Sequence, residues 1–330
     1  MLKLMRRETS NSCNCLLKTP ACFAAFSLFF FSFSCISIEK SSKNGQYNGI
    51  ETFSELLEKV EHKSVSVNAF KKTGPFDVSL QEDYSIAISP SEIPVVADIY
   101  TPEHDSRAPL IIFVHGSVAS KKAHKIQAVH LASWGFYSMV VSLPSEDRWM
   151  KNGATIDALT RLIKKWPYIV NSHIDDRKIY LVGHSFGGSA VTIATGRGAP
   201  VDGLILLDPA VVNNNVQSYM RKVSVPVMLL GADKDVFKSR RRKMFFDNID
   251  EKIAEISVKG ATHNDAQYPS MFGAYMFGFD PFTSESLQKE FLQAITITAF
   301  SFTTTNSLDY AWEMFKGKVD EGVFINARRK

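Results

Sequence analysis

The chain has 330 residues, 45% of them apolar, and a formal charge of +4 at pH 7. That is enough apolar material for one large core, since a single α/β domain commonly runs to about 250 residues. Lys3, Arg6, Arg7 and Lys18 against Glu8 put +3 ahead of residue 36 and leave +1 for the rest, so charge makes no case for nucleic acid as a partner.

The basic residues of positions 1–20 precede an uncharged, Phe-rich run from Ala21 to Ile38. A basic region followed by an apolar one is the layout of an export signal. Small Ser34 before Cys35, with the polar stretch EKSSKNGQ soon after, resembles a bacterial lipoprotein processing site, which implies lipidation at Cys35 and a tether to a membrane. An uncleaved anchor and ordinary secretion are the alternatives, and each leaves the remainder outside the cytoplasm. All four cysteines (Cys13, Cys15, Cys22, Cys35) lie in this part. The chain from residue 36 onward therefore has no disulfide, no thiolate metal site and no cysteine nucleophile. The expected organisation is a signal or anchor over 1–35, a polar linker with a short helix over 36–74, and a catalytic domain over 75–330.

Residues 51–62 (ETFSELLEKVEH) carry apolar positions at helical spacing. Residues 84–100 alternate and are rich in Ile and Val, which predicts an antiparallel pair of strands. Leu110 to Val114 is a continuous apolar run, the pattern of a strand buried on both faces of a parallel sheet. The alternation continues with a helix over Ala123–Trp134, a strand over Tyr137–Leu143, a helix over Ile156–Val170 and a strand over Lys178–Val182. A helix over Ser189–Thr195 comes next, then strands over Leu204–Leu207, Pro226–Leu230 and Ile253–Val258. Strand and helix in alternation predict a mostly parallel α/β sheet covered on both faces, with ligands at the carboxyl ends of its strands. The basic run Lys238 to Lys243 (KSRRRK) reads as a solvated helix face or a phosphate-binding patch.

The chemistry falls at those strand ends. The strand at Lys178–Val182 runs into Gly183-His184-Ser185-Phe186-Gly187-Gly188, a G-x-S-x-G before a helix. Small flanking residues let a strained strand-to-helix turn hold the serine hydroxyl clear of the sheet. A neutral serine needs a base, and His263 is the one histidine after Ser185. For the acid, loop position ranks Asp235 first, Asp208 second and Asp233 third. An unchosen acid is a turn-former or cap. The backbone N–H groups of Phe186 and Ser117, the latter after His115-Gly116, are the candidate oxyanion donors. Tyr268, Phe272, Tyr275, Phe277, Phe279 and Phe282 wall an acyl pocket or belong to the core.

The set VHGS (Val114–Ser117), DDRKIYLVGHSFGG (Asp175–Gly188), LLGADKDV (Leu229–Val236) and VKGATHND (Val258–Asp265) resembles the α/β-hydrolases, in the group of dienelactone-hydrolase-like proteins, cutinases, platelet-activating-factor acetylhydrolases and chlorophyllases. The resemblance spans roughly residues 75–300. It implies the α/β-hydrolase fold and a serine esterase that needs no metal or organic cofactor. Cutinase-like members carry the acid where Asp235 stands, and acetylhydrolases and chlorophyllases where Asp208 stands. The chain departs from true dienelactone hydrolases in lacking their cysteine nucleophile, and from cutinases in lacking cysteines for their common disulfide. The segment between Asp208 and Pro226 is too short for a large cap domain, which suits a bulky or lipid-like ester. Amide, thioester or peptide hydrolysis on the same triad, and a non-catalytic envelope binding protein, are the rival readings. Oligomeric state is left open.

Overall fold

Buried apolar runs and the turns between them dictate most of the architecture. A computed structural model describes residues 36–38, 49–89, 93–145, 147–234, 240–269 and 283–330. Cys35 and the segment before it, Asp235, and the aromatics Phe272, Tyr275, Phe277, Phe279 and Phe282 lie outside the described residues.

Ten strands make one sheet: β1 (Ile36–Ile38), β2 (Val78–Ile86), β3 (Val95–Pro102), β4 (Ala108–Val114), β5 (Tyr137–Ser142), β6 (Ile174–His184), β7 (Gly203–Leu207), β8 (Val227–Lys234), β9 (Ile253–Thr262) and β10 (Phe324–Arg329). Their spatial order is β1-β2-β3-β5-β4-β6-β7-β8-β9-β10. The run from β5 to β9 is parallel, and antiparallel strands close it at both ends. This is the mostly parallel sheet expected from the alternation of strands and helices, and the α/β-hydrolase fold that the resemblance implies. Every residue of β4 and of β7 is buried, as their continuous apolar sequences require. Register matters most for the site. Val114 pairs with Gly183, His184 with Leu207, and Leu207 with Leu230. The carboxyl ends of β4, β6 and β7 therefore stand level, with β8 running on past them to Lys234, and the turns leaving β4, β6 and β7 are gathered along one edge.

The crossovers are α2 (Lys125–Ser133), α3 (Trp149–Lys165), α4 (Phe186–Gly196), α5 (Val216–Met220) and α6 (Arg240–Asn248). Between Asp208 and Pro226 the chain forms only the five-residue α5. The first helix, α1 (Phe53–Glu61), has a capping box in which Thr52 accepts from the Glu55 N–H and the Glu55 carboxylate accepts from the Thr52 N–H. It buries Phe53, Leu56 and Val60. The 3₁₀ turn Val67–Lys71 buries Phe70 against Trp134, with ring centroids 4.8 Å apart. Both belong to the compact unit Ser34–Lys330, so the core takes in residues that read in sequence as linker.

The strands expected from sequence end at Val258, and the structure adds α7 (Glu285–Thr305), α8 (Asp309–Asp320) and the edge strand β10. The sequence of α7, ITITAFSFTTT in its second half, is rich in β-branched residues that disfavour helix. The threonine hydroxyls would also be costly to bury unbonded. Each instead donates to the carbonyl four residues back: Thr296 to Leu292 (2.8 Å), Thr298 to Ala294 (2.7 Å), Thr303 to Ala299 (2.8 Å) and Thr305 to Ser301 (2.9 Å). Phe300 on this helix is fully buried and meets Phe53, Phe70, Trp134 and Phe136 at centroid distances of 4.9–6.3 Å. Phe300→Ala is expected to destabilise the fold by about 3–5 kcal/mol in urea unfolding. Tyr168→Ala, at a ring 65% exposed, should stay within about 0.5 kcal/mol of the parent.

Candidate active site

Ser185 stands between the last residue of β6 and the first of α4, with φ 52° and ψ −124°. A non-glycine residue rarely adopts that conformation, and it persists only where its surroundings over-determine it. Here the Ser185 N–H donates to the Leu207 carbonyl (3.1 Å), and the Ser185 carbonyl accepts from Ala210 (2.8 Å) and Gly188 (3.0 Å). Close approach demands glycine on two sides. A Cβ on Gly187 would collide with the Val114 carbonyl oxygen, and one on Gly116 would lie 2.7 Å from Ser185 Cβ. These two contacts explain why G-x-S-x-G and the H-G-S after β4 occur in one sequence: the two turns interlock.

His263 opens the turn after β9 and is 4% exposed. Its Nδ1–H donates to Asp208 Oδ2 at 2.6 Å. Asp208 comes directly after β7, has φ 37° and is also 4% exposed. Its Oδ1 accepts the Ala232 N–H at 3.1 Å. Burial pushes this carboxyl upward, but the bond to His263, the charges of His263 and Arg242, and the Ala232 N–H outweigh it. The net position is below the ordinary carboxylate range. Among the described residues, Asp208 is therefore the acid on the imidazole. Asp233 bridges the irregularity between β8 and β9, its Oδ2 accepting the Gly260 N–H at 2.9 Å. The preference for Asp235 rests on loop position and on the cutinase-like resemblance, and that residue lies outside the described ones.

A second histidine holds the His263 turn in place. The Gln267 amide donates to His184 Nδ1 (3.0 Å), and His184 Nε2–H donates to the His263 carbonyl (3.1 Å). The two imidazole rings lie 4.5 Å apart. Burial first, then the charges of His263 and His124, keep His184 well below the ordinary histidine range, so it is neutral and its two nitrogens have distinct roles. The turn is pinned from outside as well. Gln127 Nε2 donates to the Ala266 carbonyl (3.0 Å), Gln288 Nε2 to the Gln267 carbonyl (2.9 Å), and Asp265 accepts from both Thr262 and Ser284. The sequence pattern marks Ser185 and His263 but gives His184 no role beyond its place in the motif.

Ser117 and Phe186 both line a cleft of about 600 Å³, together with Asp147, Arg148, Trp149 and Val212 among others. Phe186 is the first residue of α4, where N–H groups have no carbonyl partner within the helix. The His115 imidazole donates to the Gly116 carbonyl at 2.8 Å. In a trans peptide the next N–H points the opposite way, so Ser117 N–H faces away from that ring.

Fold and site together define a hydrolase scaffold with a strained serine, a buried histidine and a buried carboxylate at the carboxyl edge of a parallel sheet. Residues 111–302 match the model of the alpha/beta hydrolase family, and the chain belongs to that family. It is an enzyme of the hydrolase type. It is 25% identical over 210 residues to Cutinase 1 of Thermobifida cellulosilytica, covering 62% of this chain and 78% of that protein. It is also 25% identical over 210 residues to Cutinase of Thermobifida fusca (strain YX), covering 62% and 67%.

Burial of His124, His130 and His184 has a consequence for stability. Burial lowers the first two to about 4 and the third well below its ordinary value. In the unfolded chain these groups bind protons below about pH 6.5 while the folded state does not. Stability is thus complete above that pH and falls as pH drops toward 4. Each histidine contributes up to about 1.4 kcal/mol per pH unit. Urea unfolding at pH 7 and pH 5 should show this loss, and His130→Gln, remote from Ser185 in sequence, should flatten it.

Proposed function

We propose that the protein is a serine esterase acting through an acyl-enzyme, with Ser185 as nucleophile, His263 as base and Asp208 as the acid. The observation that carries this reading is the buried His263–Asp208 hydrogen bond beside a serine held at positive φ. Serine is a poor nucleophile until a base takes its proton. With Nδ1–H committed to Asp208, the imidazole accepts the proton of Ser185 Oγ at Nε2. The hydroxyl oxygen attacks the ester carbonyl. Asp208 stabilises the imidazolium that results. The oxyanion is received by the N–H groups of Phe186 and Ser117, aided by the positive end of α4. His263 then returns its proton to the leaving alcohol. Water enters by the same route to release the acid.

The relatedness to two cutinases supports an ester as the acyl donor, and the cleft beside Ser117 and Phe186 supports a substrate with some bulk. The sequence pattern of the N-terminal segment supports an enzyme that works outside the cytoplasm, lipidated at Cys35 and tethered to a membrane through that segment. Among the described residues no helix is long and apolar enough to cross a membrane.

Hydrolysis of p-nitrophenyl esters from acetate to palmitate tests the reading. Ser185→Ala should lower kcat/KM by roughly 10⁴–10⁶, and Asp208→Asn by roughly 10³–10⁴, while Asp235→Asn stays within a few-fold of the parent. Loss at Asp235 with retention at Asp208 would move the acid to the loop after β8. Full activity in Ser185→Ala would remove the mechanism.

A further inference from the structure

The acid has a charged neighbour that the mechanism does not use. Arg242, on α6, is 6% exposed, and its Nε lies 3.5 Å from Asp208 Oδ1. Its Nη1 donates to Ser257 Oγ on β9 at 2.9 Å. The guanidinium packs so closely on β8 that a Cβ at Gly231 would collide with Nη1. In sequence Arg242 lies in the basic run KSRRRK. It is neither on a solvated face nor in a phosphate patch, because it shares a buried helical stripe with Phe245, Phe246 and Ile249. A buried guanidinium is tolerated when an anion compensates it, and Asp208 is that anion.

We propose that Arg242 is a positioning residue for this triad: it holds the Asp208 carboxylate ionised and turned so that Oδ2 meets His263 while Oδ1 meets the guanidinium and the Ala232 N–H. This rests on the esterase reading above. Two donors and one ion pair, from three elements, fix both oxygens of one carboxylate, which leaves it a single orientation. The positive charge also opposes proton uptake by the Asp208–His263 pair, so it sets where activity fails on the acid side. Among the described residues the charged groups around this unit are few. His263 and Arg242 face Asp208, and His184 stacks on His263. Behind Arg242 a cleft of about 380 Å³ is lined by Lys243, Glu255 and Arg328, with Arg328 paired to Glu255 and Lys243 to Asp247. Those pairs cancel, so the uncancelled influence on the carboxylate from that side is Arg242 itself.

The test uses the full chain with Arg242→Gln and Arg242→Lys, each alone and in the Asp208→Asn background. Arg242→Gln is expected to lower kcat about 10–100-fold with KM within about two-fold, the pattern of a lost transition-state contribution. The acid limb of kcat/KM should move up by about one pH unit, and Arg242→Lys should restore most of that shift. In the Asp208→Asn background, Arg242→Gln should change kcat less than about three-fold, because the two act as a unit. A folded Arg242→Gln with an unmoved acid limb, or with the same loss in both backgrounds, overturns the proposal. If the parent hydrolyses no ester, the esterase reading fails, and the question passes to NMR of the His263 ring. Its titration should move upward in Arg242→Gln, and an unchanged titration overturns the positioning role. If Arg242→Gln does not fold, Asp208→Asn/Arg242→Met decides: recovered folding supports the pair as mutually compensating, and continued failure overturns it.

Discussion

A carboxylate that is 4% exposed must be hydrogen-bonded on both oxygens and balanced in charge, or it will take up a proton. Asp208 meets that requirement by drawing on three parts of the chain: the His263 turn, the Ala232 N–H on β8 and the ion pair to Arg242 on α6, while the Leu230 carbonyl, accepting the Asp208 N–H at 2.8 Å, fixes the backbone behind the carboxylate. Much else depends on satisfying this one group. The level ends of β6 and β7, with β8 running on beside them, bring the donors within reach. The tie from Ser185 N–H to Leu207, the residue before Asp208, fixes the serine to the same strand end. The site is thus a property of sheet register before it is a property of side chains.

A second layer of polar groups serves the imidazole. His184 is adjacent to Ser185 in sequence, yet its bonds go to the His263 turn: one nitrogen takes a hydrogen from Gln267 and the other gives one to the His263 carbonyl. The Ser185 turn and the His263 turn therefore share one hydrogen-bonded system. A displacement of either is felt by the other, which keeps serine and imidazole in step through a chain of neutral donors and acceptors.

The parallel strands, the crossovers between them and the strand-to-helix turn at Ser185 are legible because buried strands write continuous apolar runs and such a turn needs glycines at fixed spacing. The acid is not fixed by the same means. Asp208, Asp233 and Asp235 all follow apolar runs in sequence, and nothing local marks which of them meets the imidazole; the contact of Asp208 depends on a positive φ at that residue and on a partner 55 residues away. Arg242 is hidden for the opposite reason. Charge runs are read as surface, and only the spacing to Phe245, Phe246 and Ile249 signals that one cation of the run faces the core. The helix α7 is hidden by composition, since Thr and Ile argue for strand until burial and back-bonding to the preceding turn decide otherwise.

That helix has a bearing on how the molecule is made. Phe300 closes an aromatic cluster whose other members, Phe53, Phe70, Trp134 and Phe136, are synthesised about 160–250 residues earlier. A threonine-rich segment has little helical tendency of its own in water, so it cannot wait preformed for its partners. The nascent chain therefore carries an uncapped apolar face until α7 has left the ribosome, and the domain closes as a whole late in synthesis instead of piece by piece during it.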